Sequence, residues 1–189
     1  MHLCTPIPDV GKNRLTFIFT PGAKEERKMI IGIDPGQTGA IAILRNGSEV
    51  EIFDYPGDER ALQEIVRKIS VPTVAILEYQ QSMPMQGVSS TFALGVNYGI
   101  WLATLAARGW PVRIVRPAVW KKCLGYPAKV LGQAAAKRKQ ESKAYSLTLA
   151  RRLYPAAAKY LARAKDHNRA EALLIAHYGK GEDDNAWCD

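Results

Sequence analysis

Two apolar runs in this chain end abruptly on a carboxylate, and that pattern limits the folds open to it. Ile30-Ile31-Gly32-Ile33 runs into Asp34, and Ala75-Ile76-Leu77 runs into Glu78. Each reads as a strand of the buried type, covered on both faces. Between them, Asn46-Gly47 separates the strand-like segments 39–45 and 49–53, a strong hairpin signal. Residues 29–34, 39–45 and 49–53 are therefore expected to form a three-stranded meander, with Gly36 and Gly39 marking its first turn.

Further along, the pattern switches from strands to helices. Leu62, Ile65, Val66 and Ile69 share one face of a helix over 58–69, which Pro72 ends before a strand at 73–78. A long helix is expected at about 86–108 and a strand at 111–115. Shorter helical material follows at 117–123, then helices at about 141–153 and 167–179. This order predicts an α/β domain of the ribonuclease-H-like kind, with a mixed five-stranded sheet flanked by helices. Residues 1–28, which contain Pro6, Pro8 and Pro21, read as a flexible N-terminal extension, with Met29 as an alternative start. Residues 29–180 read as the domain, and 181–189 as a tail.

Charge is distributed unevenly. The 189-residue chain carries a net +8, yet residues 108–165 hold fifteen Lys or Arg and one acid, Glu141, giving that stretch +14. A solvated basic face is the ordinary explanation, but one segment carrying the whole excess favours a polyanionic partner. Cys4, Cys123 and Cys188 are scattered, without disulfide-frame or zinc-knuckle spacing, which suits a reducing compartment. No secretory signal is evident. The uncharged stretch from Tyr79 to Ala107 includes Gln80, Gln81, Gln86, Ser89, Ser90 and Asn97, too polar for a membrane span, so no membrane association is expected.

Asp34 and Glu78 end neighbouring strand candidates, and Asp166 and Glu171 stand where the last apolar helix begins. Taken singly, Asp34 before Pro-Gly could be a turn former, Asp166 a helix cap and Glu171 a solvated helix residue. Four acids brought together would repel one another, so as a set they make sense as a metal site. Magnesium suits carboxylates that share it with water and phosphate oxygens. Two ions ~4 Å apart can stabilise the attacking and leaving oxygens of a phosphodiester. A basic protein with such a site has the pattern of a nuclease.

Gly32-Ile33-Asp34-Pro35-Gly36 with Gly39-Ala40, Leu77-Glu78, Tyr98-Gly99-x-Trp101-Leu102, Val119-Trp120-Lys121 and Asp166-His167-x-Arg169-Ala170-Glu171-Ala172-Leu173-Leu174 resemble the RuvC-type Holliday-junction resolvases over about residues 29–180. The likeness is nearest to the branch containing the plastid resolvase and its bacterial and phage relatives. The resemblance implies a homodimeric endonuclease that nicks two opposed strands of a four-way DNA junction. It assigns Asp34, Glu78, Asp166 and Glu171 to two Mg2+ ions, with Mn2+ also supporting activity, and puts Lys143 beside the scissile phosphate. In many relatives an Asp stands at the position of Glu171, and the third acid falls at Asn168. Gln80, Gln81 and Met83 are expected to meet the junction core, with His167 near a phosphate. Arg116, Lys121, Lys122, Lys137, Arg138 and Lys139 are expected on the phosphate track. Such contacts position DNA without reading its sequence. The helix at 86–108, apolar on most faces, is expected to carry the dimer contact through Trp101 and Leu105. A cytoplasmic bacterial or phage-encoded enzyme is implied, a plastid one being the alternative. An actin-like phosphotransferase would need a second lobe, for which the chain is too short. Another recombination or repair nuclease of this fold, or a non-catalytic junction-binding protein, are the remaining readings. Cleavage of a labelled four-way junction separates them.

Overall fold

The computed structural model describes residues 28–82, 86–128, 132 and 134–183. Met83 and the N-terminal extension lie outside the described residues. Five strands form one sheet: β1 Met29–Asp34, β2 Ala40–Arg45, β3 Glu49–Asp54, β4 Val74–Glu78 and β5 Val112–Val115. Their order is β3-β2-β1-β4-β5, with the β1–β2 and β2–β3 pairs antiparallel and the β1–β4 and β4–β5 pairs parallel. This is the mixed sheet that the sequence predicts. Asn46 and Gly47 both take positive φ in the β2–β3 turn, as a tight hairpin turn requires.

Five α-helices flank it: α1 Glu59–Lys68, α2 Val88–Ala107, α3 Pro117–Cys123, α4 Ala135–Leu153 and α5 His167–Asp183. The Asp58 side chain caps α1 by accepting a 2.8 Å bond from the Ala61 amide. Helix α4 begins six residues earlier than the sequence pattern suggested. Its first two turns, Ala135 to Glu141, are exposed and show no apolar periodicity, although Ala, Lys, Arg, Gln and Glu all favour helix. Helix α5 likewise continues past Gly179 to Asp183. No helix among the described residues is long and apolar enough to cross a membrane.

Side-chain alternation divides the core between the two faces of the sheet. Ile31, Ile33, Ala75 and Leu77 face α1 and α2 with Leu62, Val66, Trp101 and Leu105, while Ile30, Val74 and Ile76 face α4 and α5. By the same alternation Asp34 and Glu78 belong to the α5 face. Their strands are parallel neighbours in a register that pairs Ile33 with Leu77, so the two acids finish side by side.

One sequence expectation changes here. Trp101 and Leu105 are fully buried beneath α2 and serve the protomer's own core, not a subunit contact. The large hydrophobics that α2 exposes are Val88 (87%), Phe92 (73%) and Val96 (45%), at helical spacing of four, and Leu102 (36%). Gly32, by contrast, has a clear structural cause. A Cβ there would lie 2.1 Å from the Ala172 carbonyl oxygen and 2.3 Å from the Ala176 amide nitrogen, both backbone atoms of α5. Gly32→Ala must therefore push α5 off the sheet. It is expected to lower unfolding free energy by about 3 kcal/mol or more, read from the urea midpoint at an unchanged slope. A loss below about 0.5 kcal/mol would mean that the helix and strand do not pack this closely.

Candidate active site

Three carboxylates from three elements approach one another at the C-terminal edge of β1 and β4. Asp34 is buried, and its Oδ1 accepts a 3.3 Å bond from the Gly36 amide, part of the turn that the glycines allow. Glu78 is equally buried and accepts a 2.9 Å bond from the indole N–H of Trp120 on α3. Glu171, in the second turn of α5, is held at both oxygens. Oε2 lies 3.3 Å from the Lys121 ammonium, and Oε1 is 3.0 Å from the Ser146 hydroxyl on α4. Lys121 also lies over the faces of Trp120 and Tyr126, at 4.9 and 5.5 Å.

The electrostatics reflect carboxylates placed together out of water. Burial is the main influence on Asp34, and the charges of Glu78 and Glu171 add to it. Its pKa is pushed up to about 8 despite opposition from the Gly36 amide and Lys121. Glu78 is pushed up to about 7, again mainly by burial, with Glu171 reinforcing and Lys121 and Trp120 opposing. Without a further cation these acids hold protons near neutrality. Hard oxygen donors destabilised in this way fit a divalent ion such as Mg2+. Among the described residues no group of three or more His, Cys, Asp or Glu side chains is placed to hold an ion. The carboxylates alone therefore do not form a closed cage.

Asp166 does not join them, which corrects the four-acid expectation. It belongs to a short 3-10 turn, Ala164–Asp166, immediately before α5. Its carboxylate accepts from the Arg163 amide at 2.8 Å and from the Arg163 guanidinium at 2.9 Å, with Arg169 3.7 Å away. Burial would raise its pKa, but the bonds and charges of Arg163, with Arg169 assisting, hold it low. The acid caps the turn and binds Arg163, the arginine three residues before it. Arg169 in turn forms a two-pronged pair with Asp54 at the end of β3. One turn before Glu171 stands Asn168, whose side-chain amide donates to the carbonyl and, at 2.8 Å, to the hydroxyl of Thr38 in the β1–β2 turn.

The remaining sequence candidates fall into separate groups. Lys121 sits at the carboxylates rather than on an outer phosphate track. Lys143 is half-buried on α4, one turn before Ser146. Lys122, Lys137, Arg138 and Lys139 are exposed. Gln80, Gln81 and Arg116 line a cleft with Glu78, Tyr79 and Leu94, and the Arg116 guanidinium lies 5.8 Å above the Tyr79 ring. His167 lies in a separate cleft with Asp54, Asp166, Arg163 and Lys165, its Nδ1 3.3 Å from the Ala164 carbonyl. Sequence reasoning missed the Trp120 bond to Glu78 and the Ser146 bond to Glu171. A buried indole needs an acceptor for its N–H, which was the available signal for Trp120. Nothing local marked Ser146.

No family model and no curated protein matches the sequence. Solved structures do match the fold. A structure of Thermus thermophilus RuvC in complex with a Holliday junction substrate aligns with a TM-score of 0.53 at 16% identity, covering 85% of this chain and 98% of that one. A second T. thermophilus RuvC structure aligns at 0.52 and 18% identity, covering 84% and 98%. A fowlpox virus resolvase solved with Holliday junction DNA aligns at 0.42 and 16%, covering 80% and 97%. The chain thus has the ribonuclease-H-like fold seen in RuvC.

The raised carboxyl pKa values make metal-free stability fall with pH. Folded Asp34 and Glu78 keep protons that the unfolded chain releases above about pH 4, so unfolding gains as pH rises toward 7 and 8. The melting temperature of metal-free protein is expected to drop between pH 5 and 8. Asp34→Asn should flatten that drop, because the amide cannot ionise. Equal slopes for the two proteins in a calorimetric pH series would show that Asp34 does not bear this burden.

Proposed function

We propose that the protein is a divalent-metal-dependent endonuclease that resolves four-way DNA junctions by paired nicks. The observation that carries this reading is the side-by-side burial of Asp34 and Glu78, with Glu171 facing them from α5. The shared fold and the junction DNA bound by T. thermophilus RuvC support it. Asp34, Glu78 and Glu171 would hold Mg2+ or Mn2+, with waters and phosphate oxygens completing the coordination. When bound, the metal supplies Lewis-acid stabilisation of phosphodiester oxygens and a water of lowered pKa. A two-ion arrangement would lack Asp166, and at the position one turn before Glu171 this chain carries the neutral Asn168.

The protein's own groups supply the rest. Trp120 fixes the direction of Glu78, while Glu171 is placed to orient the attacking water. Lys121 keeps a positive charge beside the reacting phosphate, within a frame of aromatic faces that limits its movement. Lys143 stands nearby on α4 as a second phosphate contact. The exposed Lys122, Lys137, Arg138 and Lys139 form the outer phosphate track, and Gln80, Gln81 and Arg116 line the cleft beside Glu78 through which junction strands pass. The closer placement near the plastid resolvase branch rests on the sequence motifs alone, and a cytoplasmic bacterial or phage setting accords with the reading.

The deciding experiment is incubation of a labelled synthetic four-way junction with and without Mg2+. Asp34→Asn and Glu78→Gln are each expected to slow cleavage at least ~100-fold while junction binding holds or tightens, since each removes negative charge near phosphate. Asp166→Asn should retain cleavage by the protein that remains folded, because that acid is committed to Arg163. Near wild-type cutting by either of the first two variants would rule out this active site.

A second copy of the chain completes the reading. The exposed Val88, Phe92 and Val96 stripe of α2, with Gly95 and Gly99 free of close neighbours at Cβ, gives a flat apolar face. A two-fold pairing would repeat one active site on each side of a symmetric junction. Phe92→Glu is expected to yield folded monomer by light scattering and to convert a supercoiled cruciform plasmid to relaxed circles instead of linear product. Leu105→Glu is expected to unfold the protein instead, since Leu105 is core. A Phe92→Glu protein that remains dimeric would remove this face from the interface.

A further inference from the structure

Ser146 is a fully buried serine in the middle of α4, flanked on the core side by Leu147, Leu149 and Ala150. A helical serine commonly returns its hydroxyl to the carbonyl four residues back, and Ser146 Oγ does lie 2.8 Å from the Ser142 carbonyl oxygen. That bond accounts for only part of its surroundings. The same oxygen is 3.0 Å from Glu171 Oε1 and 2.9 Å from the Tyr126 hydroxyl. Ser146 has one proton and cannot donate fully to both acceptors. A carboxylate oxygen is the stronger acceptor, and Tyr126 can supply the proton that Ser146 then accepts, forming a chain from Tyr126 to Ser146 to Glu171.

Tyr126 is itself fixed. Its ring meets Trp120 edge-on at 5.3 Å and Tyr145 at 4.6 Å, and the Tyr145 hydroxyl is tied to the Leu124 carbonyl at 3.1 Å. Trp120 is the residue that bonds Glu78. One aromatic cluster therefore steadies the partners of two carboxylates that arrive from opposite directions, one on a strand and one on a helix. Lys121 takes Oε2 of Glu171, leaving Oε1 to Ser146.

We infer that Ser146, backed by Tyr126, is a positioning residue that holds Oε1 of Glu171 and so, with Lys121 at Oε2, sets the orientation in which this carboxylate would meet a divalent cation. The inference rests on the nuclease reading above. It requires no contact between Ser146 and DNA or metal. Partners that orient a metal-binding side chain in this way change ion affinity about 10- to 100-fold when removed.

The test measures Mn2+ binding to the full-length protein without DNA, by loss of the free-ion electron paramagnetic resonance signal. Thermal unfolding of each variant is recorded alongside. Ser146→Ala is expected to weaken Mn2+ binding about tenfold. Tyr126→Phe should weaken it less, and the double variant no more than Ser146→Ala alone, because the hydroxyls act as one chain. A purely structural serine predicts lowered melting temperature with wild-type Mn2+ affinity, and that result overturns the inference. Should Ser146→Ala not fold, wild-type affinity in Tyr126→Phe would overturn it equally. Wild-type protein that binds no Mn2+ would overturn the metal-site reading and the inference with it. Wild-type binding with an unaffected Ser146→Ala would overturn the inference alone.

Discussion

At Gly32 the backbone of β1 and the backbone of α5 come so close that no side chain fits between them. The missing Cβ would fall 2.1 Å from the Ala172 carbonyl oxygen. That approach sets the height of α5 above the sheet, and hence where Glu171 stands relative to Asp34. Ala172 and Ala176 continue the same economy of volume on the helix side, while Gly179 lets α5 cross Ile30 and Ile76. A bulkier residue at any of these contacts would raise the helix and withdraw Glu171. Close backbone packing is thus a requirement of the site as much as of the core.

The same packing creates an electrostatic cost. Asp34 and Glu78 are each removed from water, and both feel Glu171. Lys121 lowers that cost by binding Glu171 and attracting the other two. It can do so because Trp120 and Tyr126 give its ammonium aromatic faces in place of solvent. One lysine facing three carboxylates leaves the site short of positive charge. That shortage gives a divalent cation its physical rationale here, and it equally explains why an arginine-bound acid such as Asp166 has no need of one.

The division of labour among the helices follows. Helices α1 and α2 seal one face of the sheet with Leu62, Trp101 and Leu105, and α2 leaves a second apolar stripe outside. On the other face, α5 provides a carboxylate, α3 a lysine and an indole, and α4 a serine. The basic excess of the sequence divides likewise: Lys121 works at the carboxylates, whereas Lys137, Arg138 and Lys139 occupy the exposed first turns of α4. A charge count along the chain cannot distinguish those two uses, because solvent exposure depends on what packs above each residue.

Much of the architecture was legible beforehand. Unbroken apolar runs identified the buried strands, Asn46-Gly47 the hairpin, and spaced Leu62, Val66 and Ile69 the helix between. Those strand ends placed Asp34 and Glu78 where they could converge at one sheet edge, and the register of β1 and β4 set them on the same face. The start of α4 was not legible from apolar spacing, since an exposed charged helix has no buried stripe to reveal it. Nor could spacing choose between Asp166 and Asn168 beside Glu171. Residues near a helix start can point toward the sheet or toward the preceding turn, and Arg163 drew Asp166 to the latter. Likewise, Trp101 and Phe92 look equally apolar in sequence, yet one is core and the other surface. The sequence by itself determined the element order and the position of Asp34 and Glu78 at strand ends, because those depend on local periodicity. Only the tertiary structure decided that Asp166 turns to Arg163 while Glu171 meets Lys121 and Ser146, and which face of α2 remains open. The Glu171 contacts and the open face of α2 depend on groups far apart in the chain meeting across packed elements.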